Sequence, residues 1–167
     1  MRQLYIKQKV FSLNGQFTVK DENQSDAYFV EGSFMKIPKT FSIFDTSRTE
    51  IAMVTKKTFS FLPQFFLEVN GRQMITIKKE FSFFKARYTI DAAGIEVQGN
   101  WWDMTFDVLQ NGEVIGSVSK EWFAWGDSYQ VTIYKESMEE IMIGLVVAID
   151  CVKADEAAAS NAATSFN

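Results

Sequence analysis

Apolar and polar residues alternate along most of the chain. In "QFTVK" Phe17 and Val19 alternate with Gln16, Thr18 and Lys20, and in "RYTID" Tyr88 and Ile90 alternate with Arg87, Thr89 and Asp91. The same period of two returns in "GIEVQ" at Ile95 and Val97, in "TFDVLQ" at Phe106 and Val108, and in "YQVTIY" at Val131 and Ile133. Successive side chains of a strand point to opposite faces, so this spacing predicts half-buried β-strands. Asn14-Gly15, Asn70-Gly71 and Asn111-Gly112 tolerate positive φ and lie between strand-like runs, the pattern of tight hairpins. Further turns are predicted at "DTSRTE" from Asp45, "DAAG" from Asp91 and "WGDS" from Trp125, with Pro38 and Pro63 near segment boundaries. The whole reads as about a dozen strands in an up-and-down meander.

The period changes after Tyr134. Ser137 followed by Glu140 has the spacing of a capping box, which predicts a helix from near Met138. Residues 141–149 are then nine consecutive positions without a polar side chain. A helix apolar on every side has to be surrounded, and a bilayer span takes roughly 20 such residues. With half-buried strands in need of a core, the predicted arrangement is mainly β: about twelve antiparallel strands closed as a barrel around a buried C-terminal helix. Gly144 inside that helix predicts close backbone approach to a strand, since glycine costs about 1 kcal/mol in a helix interior. Residues 1–153 read as a single barrel domain. Residues 154–167, "ADEAAASNAATSFN", are small and polar and read as a disordered tail.

Composition narrows the chemistry. A chain of 167 residues, 47% hydrophobic, suits one domain with a sizeable core. Its net charge of -4 argues against nucleic acid as a partner. The start, "MRQLYIKQKVF", lacks the apolar stretch of a secretory signal, so the expected location is cytoplasmic, with peripheral attachment to a membrane rather than a transmembrane segment. The absence of histidine removes Ser-His-Asp and Cys-His catalysis and histidine-ligated metals. The single cysteine, Cys151, excludes internal disulfides and Cys-pair zinc motifs, and reads as a small buried side chain. No phosphate-loop, dinucleotide or EF-hand pattern is present, and no cofactor is implied.

"NGEVIGSVSKEWFAWGDSYQVTI" followed by "EEIMIGLVVAIDCV", with "YIKQKVFSLNGQFTV" and "EGSFM" nearer the start, resembles the LURP-one-related (YxjI-type) family. That family belongs to the tubby C-terminal-like superfamily together with the phospholipid scramblases. The resemblance implies a twelve-stranded antiparallel barrel threaded by a hydrophobic C-terminal helix. It transfers no catalytic residue, no segment matches the phosphoinositide site of tubby domains, and the cysteine-rich and calcium-related motifs of scramblases have no counterpart here.

Four groups of residues are candidates for function. Lys56, Lys57, Lys78, Lys79, Lys85 and Arg87 stand beside Phe59, Phe61, Phe81, Phe83 and Phe84. On one barrel edge they would suit an anionic lipid surface, whereas the structural reading is outward charge that protects strand edges. The two occurrences of K-K-x-F-S-F that carry most of them are expected to answer a repeated packing demand. Asp150, a charge inside the apolar helix, either reaches a barrel mouth or pairs with a structural cation, and otherwise marks a polar site there. Trp101, Trp102, Trp122, Phe123 and Trp125 are expected to cap a barrel end. The carboxylate neighbours Asp103 and Asp107, or Glu139 and Glu140, are the only catalytic candidates, and no catalytic role is expected. The predicted function is a non-catalytic binding or regulatory module that associates with anionic lipid or a protein. The alternative is a small-molecule carrier or enzyme with its site at a barrel mouth.

Overall fold

The computed structural model describes residues 1–7, 15–33, 37–80, 87–92, 94–123 and 126–164, and for residues 87, 122, 123, 126, 127 and 164 the backbone alone. Twelve strands are present among the described residues: β1 (Arg2–Lys7), β2 (Gln16–Asp21), β3 (Asp26–Gly32), β4 (Thr40–Phe44), β5 (Glu50–Lys56), β6 (Gln64–Val69), β7 (Arg72–Glu80), β8 (Arg87–Ala92), β9 (Ile95–Asn100), β10 (Thr105–Gln110), β11 (Glu113–Phe123) and β12 (Gly126–Ile133). They form one antiparallel sheet in the order β8-β7-β6-β5-β4-β3-β2-β1-β12-β11-β10-β9. Chain neighbours pair throughout, except that β1 pairs with β12 and leaves β8 and β9 as the two edges. The result is a nearly closed barrel with a seam between two consecutive strands.

The alternation read from the sequence lines the interior. Leu4 and Ile6 of β1, Phe17 and Val19 of β2, Ile43 of β4, Val54 of β5, Leu67 of β6, Ile75 and Ile77 of β7, Val108 of β10 and Val131 and Ile133 of β12 are all buried. They pack on helix α1 (Glu139–Thr164), which a short 3-10 turn at Glu136–Met138 precedes. Every residue of α1 from Ile141 to Val152 is buried, Cys151 among them, so the barrel encloses the apolar run on all sides. No described helix is long and apolar enough to cross a membrane.

Two hairpins have the predicted tight turns. Asn70 and Gly71 take φ of 49° and 73°, and Asn111 and Gly112 take 52° and 83°, left-handed values that a two-residue type I′ turn needs. The third predicted turn, at Asn14-Gly15, lies outside the described residues, apart from Gly15. A further expectation changes. Gly144 does make a close approach, but to a side chain: a Cβ there would stand 2.7 Å from Leu67 Cδ1 and 2.9 Å from Cδ2.

Both helix ends depart from the sequence reading. No hydrogen bond of Ser137 closes a capping box, and Glu140 instead accepts from Asn70 Nδ2 at 2.6 Å, because the Asn70-Gly71 turn lies against the first turn of the helix. At the other end, residues 154–164, read as part of a disordered tail, continue α1. Alanine has the highest helix propensity, and lengthening an existing helix avoids the cost of nucleation. Two ion pairs to strands, Asp155 with Lys56 and Glu156 with Lys79, anchor the first turn of this extension.

Candidate functional site

An antiparallel barrel threaded by one helix has two unlike ends. At the start end, where α1 begins, Arg2 Nη1 donates to Glu139 Oε1 at 2.5 Å and the Tyr28 hydroxyl donates to the same oxygen. Burial, followed by this contact with the Glu139 carboxylate, pushes the Tyr28 hydroxyl well above its usual range. First strand, third strand and helix are thus tied at one carboxylate. Glu139 and Glu140 are occupied by these contacts, so they are not a free pair of carboxylates. Asp103, the other catalytic candidate, accepts from Asn100 Nδ2 at 2.5 Å within its own turn, while Asp107 lies exposed on β10.

The exit end, where α1 leaves the barrel, carries Lys56, Lys57, Lys78 and Lys79. Lys56 is the last residue of the inward row Ala52, Val54 of β5, and stands opposite the buried Phe65. Lys79 ends the inward row Ile75, Ile77 of β7. An inward lysine at the mouth meets the helix: Lys56 Nζ bonds Asp155 Oδ1, and Lys79 Nζ bonds Glu156 Oε2 at 2.6 Å. Glu156 also accepts from the Tyr88 hydroxyl at 2.7 Å. Burial alone would raise the Glu156 carboxyl, but the bonds from Lys79 and Tyr88 and the Lys79 charge outweigh it and hold the group below its usual range.

Strand parity separates the predicted cations. Lys56 and Lys79 turn inward, Lys78 points outward from the wall opposite Gln64 and Thr89, and Lys57 stands just past β5 on the loop to β6. The two K-K-x-F-S-F copies are therefore out of phase by one residue, since the first lysine of one and the second of the other face the helix. The four lysines share an end of the barrel without sharing a face. Lys85, Phe81, Phe83 and Phe84 lie outside the described residues, as does the Arg87 side chain.

Sequence reasoning names Phe59 and Phe61 beside the cations but misses the neighbouring loop, with Ile37 and Lys39. Phe59 and Phe61, on the β5–β6 loop, are 101% and 93% exposed, and Ile37, on the neighbouring β3–β4 loop, is 82% exposed. Phe59 also holds φ at 56°, a left-handed value rare for a bulky residue and costly to keep. Between the loops lies a cleft of about 480 Å³ that also touches Lys39, Lys56 and Lys57. Lys39 rests over the Phe41 ring at 5.2 Å, and Lys57 has no side-chain partner among the described residues. In the sequence only "KIPK" beside one strand and "KKTFSF" beside another hinted at this, and nothing there showed that the two would be neighbours.

The other candidates fall nearby. Asp150 is 9% exposed and accepts no hydrogen bond from the described residues. Burial raises its carboxyl from an ordinary 3.8 to about 6, against the pull of the Lys153 charge. Lys153 in turn lies over the Tyr129 ring at 5.5 Å. Trp101 and Trp102 occupy a 3-10 turn beside the seam, where Tyr88 of β8 stacks on Trp102 at 5.8 Å and meets Trp101 edge-on at 6.2 Å. These rings bridge the strands that do not pair, so they cap that end as expected, with Trp102 partly exposed. Trp125 lies outside the described residues, as do the side chains of Trp122 and Phe123.

Comparison with known proteins agrees with this architecture. The family model described as LURP-one-related matches residues 2–150. The protein YxjI of Bacillus subtilis (strain 168), described as uncharacterized, is 30% identical over 149 residues, which cover 89% of this chain and 91% of that one. An X-ray structure of a protein from Arabidopsis thaliana superposes with a TM-score of 0.62 over 90% of each chain, at 16% identity, and so shares the fold. On the family match and the YxjI identity, the chain belongs to the LURP-one-related family.

Proposed function

We propose that this protein is a non-catalytic binding module that docks, by the exit end of its barrel, on an anionic membrane surface. The observation that carries the reading is the placement of Ile37, Phe59 and Phe61, almost wholly exposed on adjacent loops, beside Lys39, Lys56 and Lys57. Large apolar side chains grouped on loop tips and flanked by cations match the two layers of a membrane interface, acyl boundary and anionic headgroup. Burying each apolar side chain is worth about 1.5–3 kcal/mol, and each lysine near an anionic surface about 1 kcal/mol. With only a few residues of each kind, the docking is reversible and depends on salt. The net charge of -4 favours an oriented approach, with this end toward the surface.

The test is co-sedimentation with phosphatidylcholine vesicles, with and without phosphatidylserine, at low and at physiological salt. Binding to the phosphatidylserine vesicles alone is expected, weakened by salt and lost in Phe59→Ser/Phe61→Ser. Absence of binding in both lipids, or undiminished binding by the double variant, overturns the reading. A protein or a soluble anion in the cleft would then be the partner to pursue.

A further inference from the structure

We propose that Asp155 and Glu156 of helix α1 form an internal acidic clamp that competes with the anionic surface for Lys56 and Lys79. This rests on the docking reading above and states how that site is regulated. Lys56 belongs to two structures at once. It touches the cleft between the exposed loops, and its ammonium bonds Asp155. A lysine cannot serve a headgroup phosphate and a carboxylate fully at the same time, because both demand the same few N–H donors.

The clamp is placed to open without cost to the core. Burial of α1 ends at Val152, and residues 157–163 are exposed, so Asp155 and Glu156 lie on the boundary between the enclosed helix and its bare extension. The paired side chains keep 34% and 23% exposure for Lys56 and Asp155, and 23% and 21% for Lys79 and Glu156. Partial exposure means that exchanging a carboxylate for a phosphate strands no buried charge. It also means that the alanine-rich extension loses two of its ties to the strands when the pairs part, the bond from Tyr88 to Glu156 being a third. Helical alanine in water is marginal at such a length, so release of the lysines loosens residues 155–164.

Held closed, the clamp leaves Lys39 and Lys57 as the cations of the cleft. Opened, it frees Lys56 within the cleft and Lys79 beside it, where the Lys79 backbone N–H donates to the carbonyl of the cleft residue Pro63 at 2.9 Å. Removing the competitor, in Asp155→Asn/Glu156→Gln, is expected to tighten binding to phosphatidylserine vesicles about tenfold, the effect of somewhat more than one additional lysine at the surface. A loss of two negative charges also raises affinity for any anionic surface, so a cycle separates the two causes. If the gain comes from freed lysines, it disappears in the Lys56→Gln/Lys79→Gln background. If it persists there undiminished, the clamp is wrong.

Hydrogen exchange on the unmodified protein gives a second reading that needs no variant. Amides of residues 155–164 are expected to lose protection when phosphatidylserine vesicles are added, while those of residues 141–152 keep theirs. Wild-type binding with unchanged protection of the extension, and with no tightening in the double carboxamide variant, overturns the clamp while leaving the docking surface standing. Failure of both wild type and variant to bind overturns the two together.

Discussion

Glu139 and Asp150, the buried carboxylates on either side of the apolar run of helix α1, are treated in opposite ways. At the start end Glu139, 8% exposed, receives Arg2 and Tyr28, and the two-residue Asn70-Gly71 turn is held to the helix at Glu140. Toward the exit end Asp150, 9% exposed, has no such donor among the described residues, and the β3–β4 and β5–β6 loops at that end are longer, with Phe59 and Phe61 bare on the second. Both ends join strands to the helix, through Glu139 at one and through Asp155 and Glu156 at the other. Only the exit end adds a buried acid that, among the described residues, has the Lys153 charge alone to offset its burial, and apolar tips that bury almost nothing, and a fold retains such groups where something outside it makes use of them.

The largest effect that sharpens this contrast is expected at Asp150. Its folded carboxyl, raised from 3.8 to about 6, favours the protonated form. Stability from the neutral acid is therefore complete below the unfolded value near pH 4 and is lost as pH rises through about 6, where the folded state holds a buried charge that the unfolded chain leaves in water. A shift of about two units corresponds to about 3 kcal/mol. Urea unfolding of Asp150→Asn should match the wild type near pH 4 and exceed it by up to that amount at pH 7. A difference that stays flat across this range would mean that Asp150 is compensated after all, and the asymmetry of the two ends would weaken.

At Glu139 the expected sign is reversed. Glu139→Ala removes the acceptor of the Tyr28 hydroxyl and of Arg2, and a buried hydroxyl left without a partner costs about 2 kcal/mol. Arg2 is 43% exposed on its side chain and regains water, which keeps the loss from being larger. Denaturant midpoints at pH 7 should fall for Glu139→Ala and rise for Asp150→Asn. Changes of opposite sign cannot come from a general tolerance of the helix to substitution.

Much of this architecture was legible in the chain. Strand alternation at Phe17, Val19, Ile75 and Ile77, the Asn-Gly turns at 70 and 111, and the apolar run 141–149 each follow from a local rule, and together they require a barrel around a helix. What was not legible depends on relations between strands. The parity that turns Lys56 inward and Lys78 outward is set by how each motif falls on its strand, and the two motifs sit one residue out of phase relative to the inward rows. The partner of Glu140 is Asn70, distant in sequence, so a local capping rule chose the wrong bond. The extension past Ala154 is helical because a helix already existed to extend, a fact that composition alone does not contain. Juxtaposition of Ile37 with Phe59 is likewise a product of the sheet order, which brings the β3–β4 and β5–β6 loops to the same end.

The smallest expected effect bears most directly on what the exit end is for. Phe59 and Phe61 bury almost nothing in the folded chain, and Phe59 pays strain for its left-handed backbone. Replacing both with serine should change the free energy of unfolding by no more than about 0.5 kcal/mol, the range of surface substitutions away from structural features. A side chain that matters to the fold would cost several times that, as large buried aromatics do. Calorimetry of Phe59→Ser/Phe61→Ser beside the wild type decides the point: near-identical melting places these rings outside the folding energetics, so any loss of vesicle binding by the variant belongs to the surface and not to the stability of the barrel. A marked drop in melting temperature would instead make the tips structural and remove the main support for docking at this end.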